Sequence, residues 1–160
     1  MVEVNDFKKL DIFNVFSEKQ LAELAEITET KTFEKGAHVY ERGKRADQIF
    51  VVTKGVVSLN RFQPGEKIGI SFEKREKGEF FGTACFMKPQ EYTLTGVCME
   101  DSEVLAVDAD KLLNLCEADP DLGYKFLKEV AKVYFERYKI AKRQIHEMVK
   151  APTIITALPG

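Results

Sequence analysis

Two histidines and three cysteines in 160 residues leave little material for metal or nucleophile chemistry. His38 falls in an expected early strand and His146 far along the last expected helix, so the two are not expected to meet within one chain. A jelly-roll metal centre of the cupin kind needs clustered histidines and a carboxylate, and that set is missing. No Ser/His/Asp order and no catalytic-cysteine signature stands out. Adjacent acids such as Glu100-Asp101 lie in an expected turn and read as surface charge. Catalysis is therefore the least supported class, with no metal and no certain cofactor. Cys85, Cys98 and Cys116 are odd in number and lack ligand-type spacing, which fits reduced, mostly buried thiols of a cytoplasmic protein. Charge of one sign is also lacking. A net charge of −2 exerts no global pull toward nucleic acid or anionic membranes. No apolar run is long enough to span a bilayer, and the start, MVEVNDFKKL, lacks the apolar core of a secretory signal. Internal repeats and low-complexity segments are absent as well.

What remains is one domain's worth of chain, 44% hydrophobic, enough for one sizeable core. The first ~30 residues read as helical. Leu10, Phe13, Val15 and Phe16 form an apolar patch; Ser17 caps a second helix, with Gln20 at the capping-box position and Leu21, Leu24 and Ile27 on one face. From 31 to 107 the pattern changes to short strands. Thr32–Glu34, Ala37–Glu41, Gln48–Thr53 and Val56–Phe62 are separated by turns at Lys35-Gly36, Arg42-Gly43 and Lys54-Gly55. A turn at Gln63-Pro64-Gly65-Glu66 leads to the alternating run 68–72 and the charged stretch Glu73–Lys77; Leu94–Cys98 and Val104–Val107 close the series. Many short strands at nearly regular spacing predict a mainly β architecture, a sandwich or jelly-roll barrel with flanking helices.

Residues 108–150 read as helical again. Asp108 or Asp110 caps a short helix, and Asp119-Pro120 starts a long one, with aspartate as cap and proline at the first helical position. Along it Leu127, Ala131, Tyr134, Tyr138, Ala141, Ile145 and Met148 fall at alternating steps of four and three, a coiled-coil seam over about three heptads. The expectation is a homodimer joined through this helix, against the alternative of a solitary amphipathic helix laid along the barrel. Phe126, Val130 and Val133 lie beside the seam and can pack back on the barrel. Lysines and arginines outnumber acids on this helix and read as its solvated outer face. The tail 151–160 could be a strap, a strand added to a partner, or disordered.

The centre of the chain is the stretch Gly78–Val97, GEFFGTACFMKPQEYTLTGV. Its order is strand, glycine turn, one turn of helix, loop and strand. Gly82 can take a backbone angle barred to other residues and admit a ligand close to the main chain. The N–H groups of Thr83, Ala84 and Cys85 would then start a helical turn, where unpaired donors favour an anion.

With Phe13–Ser17, Lys35-Gly36, Val39-Tyr40, Gly43, Phe50–Val52 and Lys54–Val57 before it, the stretch resembles the phosphate-binding cassette of the cyclic nucleotide-binding domain family. That is the family of catabolite activator protein, kinase regulatory subunits and nucleotide-gated channels. The resemblance runs from about Leu10 to the C-terminal helix and implies a jelly-roll barrel, with cassette residues Gly82, Thr83, Ala84, Cys85, Tyr92, Thr93, Leu94 and Thr95 at the ligand. It also departs from the family. Ligand-binding relatives carry an acid after the cassette glycine for the ribose 2′-hydroxyl and an arginine near the cassette's end for the cyclic phosphate. Here those places hold Thr83 and, depending on the loop alignment, Tyr92 or Thr93.

Two functions follow from the resemblance. One is a non-catalytic sensor that binds a small ligand, a cyclic nucleotide or other small anion, and signals through the C-terminal helix. In it Thr83, Thr93 and Thr95 supply hydroxyls, and Lys88 or Arg61 replaces the missing cation. The other is a ligand-free dimerisation or protein-docking module whose pocket is filled by Cys85, Phe86 and Tyr92. Transcription factors of the family continue past the long helix into a DNA-reading domain; this sequence does not, so direct DNA binding is not expected.

Overall fold

Capping chemistry fixes the helical ends. In the computed structural model, which describes residues 1–62, 65 and 70–149, α1 (Val4–Lys8) and a 3-10 turn (Asp11–Phe13) precede α2 (Glu18–Glu26). Ser17 and Gln20 form the reciprocal capping box at the start of α2, with bonds of 3.2 and 3.0 Å. At the other end Asp108 accepts the Lys111 N–H at 2.9 Å and starts α3 (Ala109–Ala118). Asp110, the other candidate cap, instead pairs with Arg45 at 2.8 Å. Asp119 accepts the Leu122 N–H at 3.2 Å, and with Pro120 at the first turn it opens α4 (Pro120–Met148).

Among the described residues eight strands lie between the helices: β1 (Thr28–Phe33), β2 (His38–Tyr40), β3 (Gln48–Lys54), β4 (Val57–Arg61), β5 (Ile70–Arg75), β6 (Phe80–Phe81), β7 (Thr95–Cys98) and β8 (Ser102–Asp108). They form two four-stranded antiparallel sheets, ordered β1-β8-β3-β6 and β2-β7-β4-β5. This is the expected mainly β, jelly-roll type of architecture with flanking helices. The run Ile49–Val52 is wholly buried in β3, as its unbroken apolar sequence requires between β8 and β6.

Several boundaries moved, each for a non-local reason. Helix was expected to about residue 30, yet α2 stops at Glu26 and β1 begins at Thr28. The polar segment TETKTF is an edge strand whose order comes from its ladder with β8, Thr28 opposite Val107 through Phe33 opposite Ser102. β5 runs into the charged stretch as far as Arg75, whose β4 partner is Val57. The strand expected from Leu94 begins one residue later, at Thr95, where pairing with Asn60 of β4 starts. Apart from Gly65, the turn at 63–66, the start of the run at 68–69, the helix end at Lys150 and the tail 151–160 lie outside the described residues.

A chain of phenylalanines ties the helices to the sheets. Phe13 and Phe80 are 5.9 Å apart between ring centres, Phe80 and Phe126 5.1 Å, and Phe16 and Phe126 6.2 Å. Phe126, Leu122 and Val130 thereby hold the first part of α4 on the core. Among the described residues no helix is long and apolar enough to cross a membrane.

Candidate ligand cassette

Gly82 adopts φ 69° and ψ 33°, left-handed backbone that glycine takes without penalty, and the 3-10 turn Thr83–Phe86 follows. A Cβ at Gly82 would lie 3.0 Å from Phe50 Cδ2 and 3.1 Å from Tyr40 Cε1. One at Gly96 would lie 3.2 Å from the same Tyr40 carbon. The Tyr40 ring therefore occupies the space that two bare backbones leave open.

That ring is the middle of an aromatic stack. Tyr92 lies 4.0 Å from it at an interplanar angle of 18°, Phe50 5.6 Å at 20°, and Phe81 5.9 Å at 30°. Tyr40 belongs to one sheet, Phe50 and Phe81 to the other, so the stack closes the core beneath the cassette. Tyr92 is only 4% exposed. Its phenol donates to the Gln48 carbonyl at 2.8 Å and accepts the Gln48 N–H at 3.2 Å, so its one polar atom is satisfied in the interior. Its backbone is pinned too, by bonds between Gly43 N–H and Tyr92 carbonyl and between Tyr92 N–H and Lys44 carbonyl. Burial pushes both phenol pKa values upward, so both stay neutral donors; for Tyr40 the Tyr92 and Tyr134 phenols add to that rise.

The remaining candidates fall into distinct environments. Thr83 is buried, and its hydroxyl is hydrogen-bonded to the Tyr134 hydroxyl of α4. Thr95 is buried and accepts the Arg42 N–H at 3.1 Å. Thr93 is exposed, while Ala84 and Leu94 are half-buried against the core. Cys85 is buried in the turn; Phe86 is half-buried and packs toward Phe126 at 6.3 Å. Of the three proposed fillers, Tyr92 is in the stack; the ring that sequence reading missed is Tyr40.

Burial, with a smaller contribution from Cys116, pushes the Cys85 thiol up to about 12. At pH 8 about one such thiol in ten thousand is ionised. Iodoacetamide is therefore expected to leave Cys85 unmodified in the folded protein and to alkylate it once urea unfolds the chain. Rapid labelling of native Cys85 by mass spectrometry would contradict the packed cassette.

The suggested substitute cations, Lys88 and Arg61, are both exposed. A cation does lie inside, and it is Arg75, 3% exposed. Its Nε donates to the Phe80 carbonyl at 2.8 Å, and its guanidinium pairs with Glu73. Arg137 of α4 approaches the same Glu73 at 3.6 Å and Glu79 at 3.7 Å, and donates to the Lys74 carbonyl at 3.2 Å. Both arginines thus serve the junction between α4, β5 and β6. No local feature marks Arg75 for this role, because an arginine in a charged run reads as surface.

The seam residues Leu127, Ala131, Ala141, Ile145 and Met148 are exposed, and Tyr138 is half-buried. Tyr134 was expected in the seam; it is 56% exposed, yet its hydroxyl is engaged with the cassette. Among the described residues no group of three or more histidine, cysteine or acidic side chains is placed to hold a metal ion.

Known proteins share this fold. The family model described as the cyclic nucleotide-binding domain matches residues 30–119. A cGMP-dependent protein kinase of Drosophila melanogaster (isozyme 2, forms cD5/T2) is 25% identical over 141 residues, 86% of this chain but 15% of the kinase. The crystal structure of a cyclic nucleotide-binding domain from Methylobacillus flagellatus superposes with a TM-score of 0.74 at 17% identity, covering 94% of this chain and 84% of that one. The sensor domain of the transcriptional regulator DNR from Pseudomonas aeruginosa gives 0.66 at 20% identity, covering 95% of each. With the greater part of its length inside the matched region, the chain belongs to the cyclic nucleotide-binding domain family.

Proposed function

We propose that the chain is a non-catalytic regulatory module that senses a small ligand at its cassette and signals through α4. The observation that carries this reading is the Thr83–Tyr134 hydrogen bond, which joins the residue after the cassette glycine directly to the long helix. A change at the cassette is then a change in what holds α4. Such coupling requires a ligand that binds one helix arrangement better than the other.

The ligand is not held by the usual charged pair. Thr83 stands where relatives have an acid, and inward Tyr92 or exposed Thr93 where they have the phosphate-binding arginine. An arginine–phosphate contact contributes about 1.5–3 kcal/mol, which neutral phenols do not replace. Cyclic AMP or cyclic GMP would consequently bind about one to two decades more weakly than at an arginine-bearing cassette.

Homodimerisation through α4 completes the proposal. The last turns of α4 carry Ile140, Ile145 and Met148 exposed, and Val149 follows as its C-cap. In proteins most helical stability comes from packing of an apolar face rather than from propensity. A second copy, paired along Leu127, Ala131, Tyr138, Ala141, Ile145 and Met148, covers it at coiled-coil spacing.

A second reading, a ligand-free dimerisation or docking module, is favoured by the Tyr40–Tyr92 stack at 4.0 Å, which fills the space beside Gly82 and Gly96. Isothermal titration with cyclic AMP and cyclic GMP, with light scattering on the same samples, separates the two. Weak saturable binding by a dimer is the expected result. No heat at millimolar nucleotide would leave the docking module; a monomer at all concentrations would remove the dimer.

A further inference from the structure

We infer that Tyr134 is a latch. Its hydroxyl bond to Thr83 holds the second half of α4 against the barrel, and any group that claims the Thr83 hydroxyl releases that half. The inference rests on the sensor reading only for what does the claiming; the latch itself is a property of the ligand-free chain.

The first half of α4 is docked without Tyr134. Leu122, Gly123, Phe126 and Val130 are buried, and after Val130 no α4 residue is. From 131 onward the contacts of the helix include the Tyr134 hydroxyl bond and, one turn later on the same side, Arg137, with Val133 and Tyr138 half-buried beside them. Arg137 reaches its carboxylates at 3.6 and 3.7 Å with all three side chains partly exposed, an arrangement worth little in water. The phenol–hydroxyl bond is different. Thr83 is 6% exposed, so leaving its hydroxyl unpaired would cost more than an exposed ion pair returns.

The competition is for one position on the Thr83 hydroxyl. A hydroxyl has one proton to give and two lone pairs. At the cassette Thr83 sits directly after Gly82, at the mouth of the 3-10 turn. One bond to Tyr134 leaves further capacity, so a bound molecule competes only where its own group takes the position on the Thr83 hydroxyl that Tyr134 now occupies. Binding would then loosen α4, the opposite sign to a helix that closes on its ligand.

The test needs no ligand. Thr83→Val, close in shape, imitates a Thr83 whose hydroxyl is unavailable, and Tyr134→Phe removes the other half of the bond while keeping the ring. Amide hydrogen exchange is followed on the full chain for wild type, both single variants and the double variant. Each single change is expected to speed exchange of the 131–149 amides about fivefold, the loss of one modest hydrogen bond. The double variant should exchange no faster than either single, because one bond is lost in all three. Amides of β3 and β8 should not change. Unchanged exchange in the singles, additive effects in the double, or an equal rise in β3 and β8 would each overturn the latch. Failure of cyclic nucleotides to bind would count against the sensing function and leave this result untouched.

Discussion

Gly82→Val is expected to destabilise the protein by about 3 kcal/mol. Two costs combine. A side chain in left-handed backbone costs about 1–2 kcal/mol, and forcing atoms into a filled core about 1–3 kcal/mol. The second applies because the new Cβ would meet Phe50 at 3.0 Å and Tyr40 at 3.1 Å, rings already stacked and unable to retreat. Gly43 is the control. It has φ +82°, with nothing within 4 Å of a Cβ, so Gly43→Val carries the backbone cost alone. Urea unfolding at constant m value should put the Gly82 variant about 1–3 kcal/mol below the Gly43 variant. Equal losses would mean that the stack does not press on the cassette backbone.

The second large effect concerns which face of α4 is docked. Phe126→Ala should cost about 4 kcal/mol, within the range for deleting a buried phenylalanine. Its ring touches Phe80, Phe16 and Phe86, so the cavity would open where the N-terminal helices, β6, the cassette turn and α4 meet. Phe135, nine residues on and 63% exposed, should lose less than about 0.5 kcal/mol when changed to alanine in a dilute sample. The order of the two midpoints in thermal or urea unfolding decides the matter. A larger loss at Phe135 would turn the helix over.

What could be read from residues alone depended on how local each determinant was. Ser17 with Gln20, Asp108 with Lys111 and Asp119 with Leu122 act across three residues, and the caps stood where the pattern placed them. Gly82 likewise sits in the left-handed conformation its position suggested. Long-range pairing hid the rest. β1 is polar and owes its order to β8, roughly seventy to eighty residues away. Arg75 is buried only because the Phe80 carbonyl and Glu73 meet it there. Tyr40 looked like one strand residue among many, and its place is set by bare backbone at Gly82 and Gly96 on other strands and turns. The Thr83–Tyr134 bond spans 51 positions, and helical spacing alone assigned Tyr134 to the seam. Periodicity finds a face of an element; it does not find what that face will touch.

The close packing of Gly123 against Cys116 has a mechanical consequence. A Cβ at Gly123 would lie 3.0 Å from both the Cβ and the carbonyl oxygen of Cys116, so α3 and α4 meet there with almost no clearance. Gln20 reinforces the corner by donating to Asp119 and Asp121. The start of α4 is therefore fixed through Val130, and any displacement of the helix is confined to the part beyond it. At about 1.5 Å per residue, Tyr134 lies roughly 6 Å and Met148 roughly 27 Å past Val130. A tilt that barely moves the hydroxyl at the cassette therefore carries the far tip about 4.5 times as far.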